Sequence, residues 1–219
     1  MIDMRKIIVV GNGPSILTAN AGEYIDAHRQ VYRINEYYCT DAKTTGFKIT
    51  TWATCKDFYR SDIYKTATDR FSVDWGQCGS VLFTNKPGTA RNQLVIDRAY
   101  LNDANFSIIP TEIRDFIAEK YRAYIISDKA KHAKEGPSTG LKVLAYLTEY
   151  LGHEVDAVGF DGLQFDEKMH YFDTEIKTYR HNHMHWPERE MACLNEWREN
   201  GKVNFYNPNN PNTDNQEEN

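Results

Sequence analysis

Lys6-Ile-Ile-Val-Val-Gly-Asn-Gly-Pro-Ser15 is the stretch from which the rest of the chain can be ordered. Ile7 to Val10 is a short, mostly β-branched apolar run with no polar alternation, as expected of a strand buried on both faces of a parallel sheet. Glycines follow it, and Ser15 is placed to cap a helix running to about Tyr24. Val31-Tyr-Arg-Ile34 then reads as a second strand. The unit is strand, loop, helix, strand, and its crossover should be right-handed.

Working outward, Ile49–Thr54, Val81–Thr84 and Phe106–Ile109 have the composition of strands, and the polar stretch Asn85 to Gln93 that of a loop. Thr111 to Tyr124, behind Pro110, spaces Ile113, Phe116, Ile117 and Tyr121 as an amphipathic helix does. Leu141 to Leu151 repeats the helical pattern, with Ser138 and Thr139 as capping residues ahead of it and Gly152 where a C-terminal glycine belongs. Val155–Phe160 returns as a strand. Pro187 to Asn200 begins a last helix with proline and acidic residues in its first turn. From Asn207 the chain lacks core-forming residues, so 207–219 is expected to stay unfolded. The alternation implies an α/β fold: one Rossmann-like, doubly wound, mostly parallel sheet in a single domain over 1–206, with an insertion at roughly 40–134 expected to build the acceptor side.

A chain of 219 residues can bury a core without staples. Its 41% hydrophobic and 26% charged residues are those of a globular protein. A net charge of -5 supplies no basic field, which argues against nucleic acid as a partner. Cys39, Cys55, Cys78 and Cys193 form no C-x-x-C pair, which argues against a zinc ribbon or a secreted disulfide scaffold and fits a reducing cytoplasm. Neither signal-peptide architecture nor the roughly 20-residue apolar run of a transmembrane helix is expected.

Three stretches carry chemistry. Gly11-Asn-Gly13 after a strand can bring backbone N–H groups to a phosphate or ribose, with Asn12 adding a donor and an acceptor, or can be a plain tight turn. As a dinucleotide fingerprint it is incomplete, because Ile16 stands where the third glycine belongs and Arg33-Ile-Asn35 where an acid would end the second strand. Pro137-Ser-Thr-Gly140 puts two hydroxyls and a glycine at a helix N-terminus, a position suited to an anion and equally to simple capping. His181, His183 and His185 alternate, so on a strand they would share a face and could bind zinc, although no acidic ligand set stands nearby.

Gly136-Pro-Ser-Thr-Gly-Leu-Lys-Val-Leu-Ala-Tyr-Leu-Thr-Glu-Tyr-Leu-Gly-His-Glu-Val-Asp-Ala-Val-Gly-Phe160 resembles the small sialylmotif of the animal-type sialyltransferases, glycosyltransferase family 29. Val9-Val-Gly-Asn-Gly-Pro-Ser15 is similar to the start of their large motif and to the N-terminus of the bacterial family 42. His170-Tyr-Phe-Asp173 resembles the third motif, and His185-x4-Glu190 the very small one. The four stand in the family's order. The resemblance does not extend to the disulfide, membrane anchor and stem of animal members, and a version without them is expected.

The resemblance implies a GT-A-like variant fold and a role for each matching position. Asn12, Gly13, Ser15 and Asn35 would meet the nucleotide's phosphate and ribose. Ser138, Thr139 and Gly140 would hold the phosphate and ribose of a cytidine monophosphate sugar, and Gly159, Phe160 and Asp161 would lie by the cytosine. His170, helped by Tyr171, would donate to the departing phosphate, and His185 would be the general base, with Glu190 supporting its loop and helix. The implied reaction is metal-independent, inverting transfer of sialic acid from CMP-sialic acid to a glycan, met at the membrane surface if lipid-linked; no cofactor is implied beyond the donor. CMP-Kdo is the close alternative donor. An NAD-type oxidoreductase built on Gly11-Asn-Gly13 and a zinc hydrolase or nuclease built on the histidines are the alternatives from other classes.

Overall fold

The computed structural model describes residues 7–55, 73–74, 76–85, 102–124, 136–162 and 187–206. The expected tail 207–219 and much of the 40–134 region lie outside them. Among the described residues seven strands form one sheet: β1 (Ile7–Val10), β2 (Gln30–Ile34), β3 (Thr51–Thr54), β4 (Ser80–Phe83), β5 (Asn105–Ile108), β6 (Val155–Val158) and β7 (Val203–Phe205). Their spatial order is β5-β4-β3-β2-β1-β6-β7. Every pairing is parallel. The described part of 40–134 therefore supplies β3, β4 and β5, one wing of the same sheet.

Helices cover both faces. On one lie α1 (Ile16–Ala19) and α2 (Gly22–Ala27), where Ile16 and Ile25 pack on Ile8, Val10 and Val31. On the other lie α3 (Thr111–Ala123), α4 (Thr139–Ala145) and α5 (Pro187–Glu199). There Ile117, Leu144 and Trp197 join Ile7, Val9 and Ala157 in the largest core cluster. Successive β1 side chains thus feed opposite layers, which is why the run is apolar throughout rather than alternating.

Local differences from the expected elements have local causes. The helix anticipated from Ser15 to Tyr24 breaks at Asn20, which is left-handed at φ 50°, and restarts at Gly22. A Cβ on Gly22 would stand 1.9 Å from the Ala42 carbonyl oxygen, so the restart depends on glycine. Ser15 does not cap α1 through its side chain. On α3 Ile113, Ile117 and Tyr121 are buried, but Phe116 is 42% exposed. It lies one position, about 100°, round from Ile117 and so falls off the stripe. Beyond α4 the helix continues as a π-helical turn over Tyr146–Tyr150. Gly152 is left-handed at φ 69°, as its place predicts.

Three buried polar groups hold the layers in register. His28 sets Nδ1 against the Tyr24 carbonyl and Nε2 against Asp156 Oδ2, both at 2.7 Å. Arg33, fully buried, donates to the carbonyls of Lys48 and Thr45. Trp197 donates its indole N–H to Glu149 at 3.0 Å. No helix among the described residues is long and apolar enough to cross a membrane.

Candidate functional site

Strand order reverses at β1. The chain leaves β1 toward β2 on one side, while β6 pairs on the other, so the loops after β1 and β6 diverge at the carboxyl edge of the sheet. In open parallel sheets that edge is where ligands bind. Ten residues anticipated at a binding site come together there: Asn12, Gly13 and Ser15 after β1, Asn35 after β2, Ser138, Thr139 and Gly140 at the start of α4, and Gly159, Phe160 and Asp161 after β6. His170, Tyr171 and His185, with His181, His183 and the third motif, lie outside the described residues.

The two glycine turns are fastened together. Gly11 N–H donates to Val158 at 2.8 Å and Gly13 N–H to Gly159 at 2.9 Å. A Cβ on Gly11 would meet the Gly159 carbonyl oxygen at 2.3 Å, and one on Gly13 would meet the Asp161 carboxylate at 2.5 Å. Asp161 in turn accepts the Ser15 backbone N–H at 2.9 Å and the Ser15 hydroxyl. Several donors of this turn are thus used in joining β1 to β6. Asn12 spends both amide hydrogens on the carbonyls of Ile34 and Glu36, at 2.8 and 2.7 Å, leaving its carbonyl oxygen as what it can offer.

Asn35 is left-handed at φ 51° and is the hinge between the strand ends and α4. Its side chain donates to Thr139 Oγ1 at 3.2 Å and accepts from Cys55 N–H at 3.2 Å. Phe160 lies against Gly140, where a Cβ would be 2.7 Å from the ring. The third residue of the Ser-Thr-Gly run is therefore required by packing, which capping alone does not explain.

At the tip of α4, Ser138 accepts from Leu141 N–H and is a true N-cap. Its own N–H and hydroxyl donate to the two oxygens of Glu190, each at 2.8 Å. Glu190 is 3% exposed, and burial pushes its carboxyl up to about 7 against the pull of Ser138 and of the Lys142 charge. With Ser138 occupied, the N–H groups of Thr139 and Gly140 are the orphan donors at this helix end, and they have no partner among the described residues. One helical turn on, Lys142 reaches Asn85 at 2.9 Å, and burial holds its ammonium below the usual lysine value.

Sequence reasoning found the turn, the helix tip and Glu190. It missed Lys142 and Asn85, because a lysine inside an apolar helix and an asparagine in a loop carry no spacing signal that joins them. It also missed the Asp161–Ser15 bond, since the two residues are 146 positions apart.

No protein-family model matches the chain. No curated protein matches it either. Solved structures do. A mammalian sialyltransferase in complex with Gal-β-1-3GalNAc-ortho-nitrophenol is similar with a TM-score of 0.62 and 16% identity, over 94% of this chain and 70% of that one. The monofunctional α-2,3-sialyltransferase Cst-I of Campylobacter jejuni matches at 0.53 and 20% identity, over 94% and 76%. The sialyltransferase CstII of the same organism, in complex with the substrate analogue CMP-3FNeuAc, matches at 0.54 and 17% identity, over 94% and 83%. At these identities the likeness is one of fold. The chain shares the fold of these solved enzymes, a parallel Rossmann-like sheet, and in it the β1 and β6 loops meet the tip of α4.

Proposed function

We propose that the protein transfers sialic acid from CMP-sialic acid to a glycan acceptor, as the solved neighbours' names and ligands indicate for those enzymes. The observation that carries this is the bond between Glu190 and Ser138. It ties the first turn of α5, which His185 precedes by two residues in sequence, to the helix tip suited to a phosphate. In this reading the free N–H groups of Thr139 and Gly140 receive the donor phosphate, Asn35 and Asn12 meet the ribose, and the Gly159–Asp161 turn lies by the base.

The chemistry follows from the donor. A sialic acid glycosidic centre departs through an oxocarbenium-like transition state, as in glycoside hydrolysis. Oriented donors at a helix terminus stabilise the charge gathering on the leaving phosphate. His170, with Tyr171, protonates or hydrogen-bonds that phosphate. His185 takes the acceptor proton, a task fitted to imidazole with its reference pKa of about 6.5. A single base on the face opposite the leaving group gives inversion. The monophosphate leaving group needs no divalent metal in this scheme. The acceptor is a galactose-ended or other surface glycan, met from the cytoplasmic side if it is lipid-linked.

The test measures CMP binding and CMP release. Wild-type protein should bind CMP and release it from CMP-sialic acid in the presence of a galactoside, with EDTA making no difference. Faster release from CMP-Kdo would replace the donor within the same scheme, and NAD binding without CMP binding would overturn the proposal. His185→Ala should lower transfer by about 10²–10⁴-fold while CMP affinity stays near the wild-type value. Near-normal turnover in that variant would remove His185 as the base.

A further inference from the structure

Four hydrogen bonds form a circuit at the carboxyl edge of the sheet, and all of them run in one direction. Lys142 Nζ donates to Asn85 Oδ1 at 2.9 Å, and Asn85 Nδ2 donates to the Cys55 carbonyl at 3.0 Å. The backbone N–H of the same Cys55 donates to Asn35 Oδ1 at 3.2 Å, and Asn35 Nδ2 donates to Thr139 Oγ1 at 3.2 Å. Lys142 and Thr139 stand three positions apart on α4, a spacing that puts them on one face of the helix and closes the ring. The ends of β2, β3 and β4 are thereby tied to the first turn of α4.

The chemistry of the members fixes the direction. An ammonium only donates and a carbonyl only accepts, so Asn85 has one orientation between them. A backbone N–H only donates, so Asn35 presents its oxygen to Cys55 and its amide hydrogens to Thr139. Thr139 Oγ1 therefore accepts from Asn35, and its own proton is left for another acceptor. Thr139 is 5% exposed, so the protein rather than bulk water sets where that proton points. The direction matters at this helix tip. A hydroxyl that donates adds to the anion-binding N–H groups beside it, whereas one spent on Asn35 adds nothing.

We propose that Lys142 and Asn85 are positioning residues for a phosphate: without touching it, they hold Asn35 so that the Thr139 hydroxyl donates to a phosphate oxygen at the α4 tip. The inference rests on the proposed donor site and adds to it the residues that orient one of its contacts. Loss of the Lys142 ammonium releases Asn85, and with it the Cys55 end of β3. Asn35 can then turn its oxygen toward Thr139 and take the hydroxyl proton for itself.

Isothermal titration of the full chain with CMP, cytidine and inorganic phosphate tests this in wild-type protein, Lys142→Met, Thr139→Val and the double variant. Wild-type protein should bind CMP about tenfold or more tighter than cytidine. Lys142→Met and Thr139→Val should each weaken CMP about three- to tenfold and leave cytidine within about twofold, because cytidine has no phosphate to meet the hydroxyl. Adding Lys142→Met to Thr139→Val should cost less than about twofold more, since the lysine acts through the threonine. Asn85→Asp keeps an acceptor for Lys142 but, ionised, cannot donate to Cys55. It should repeat the Lys142→Met loss, and it serves if Lys142→Met does not fold. Equal weakening of CMP and cytidine, additive losses in the double variant, or unchanged CMP affinity in Lys142→Met would overturn the positioning role and leave the transferase reading standing. Phosphate binding that depends on Lys142 and Thr139, without CMP binding, would keep the positioning role and remove the transferase scheme. Binding of none of the three ligands by wild-type protein would remove both.

Discussion

Ser15 and Ser138 each stand at the start of a helix, and each gives its backbone N–H and its hydroxyl to the two oxygens of one distant carboxylate. Ser15 gives them to Asp161, 146 positions on, and Ser138 to Glu190, 52 positions on. The chemistry of the two clamps is the same, but their surroundings differ. Asp161 lies at the partly exposed lip of the glycine turns, while Glu190 is buried beneath α4 with its carboxyl up to about 7. Ser138 is also a side-chain cap for its helix and Ser15 is not. Burial, rather than the identity of the bonded groups, sets how much each clamp contributes and whether it responds to pH.

Removing the acids separates the two most widely. Glu190→Ala leaves a cavity and two buried Ser138 donors unpaired, and should cost about 3 kcal/mol of unfolding free energy. Asp161→Ala, where water can replace the carboxylate, should cost about 1 kcal/mol. Urea denaturation of both variants checks the pair, and equal losses would break the contrast.

The next effect is the pH dependence. Glu190 has a folded value raised above its unfolded one, so its contribution to stability is complete below about 4.5 and is lost as pH rises through about 7. Unfolding free energy should therefore decline from pH 5 to pH 8, and Glu190→Gln should flatten that decline. The opposite sign holds at Asp156. Burial pushes it upward, but hydrogen bonds from His28, Asn204 and Tyr24 together bring it below the usual aspartate value. Its contribution is present above about 4 and lost on acidification. Denaturation curves at several pH values read both limbs, and an unchanged slope in Glu190→Gln would take the pH response away from the buried clamp.

The smallest difference should come from the serines. Ser138→Ala loses a cap and a partner of Glu190, for about 1–2 kcal/mol. Ser15→Ala should stay near 0.5 kcal/mol, because its helix is only four residues long and takes no side-chain cap from it. Reversed losses would mean that the exposed clamp is the structural one.

Much of the frame was legible along the chain because its signals are local. The unbroken run Ile7–Val10, the glycines at 11 and 13 and the Ser-Thr-Gly step ahead of Leu141 each report a backbone requirement within a few residues. The break at Asn20 was not legible in the spacing, and neither was the contact of Gly22 with the Ala42 carbonyl, which only glycine allows. Phe116 misled for a similar reason: its spacing fits a helix, but only the position of the sheet decides which stripe is covered.

By itself, then, the sequence determined a parallel α/β sheet, the turn after its first strand and the residue types at the helix tip, because steric demands and hydrophobic periodicity are written in neighbouring positions. The tertiary structure alone decided that Asp161 and Glu190 serve as matching clamps, that Gly140 must make room for Phe160, and that Lys142 faces Asn85. Those are meetings between residues tens of positions apart. Their energies depend on burial and orientation, and both exist only once the sheet has closed over its helices.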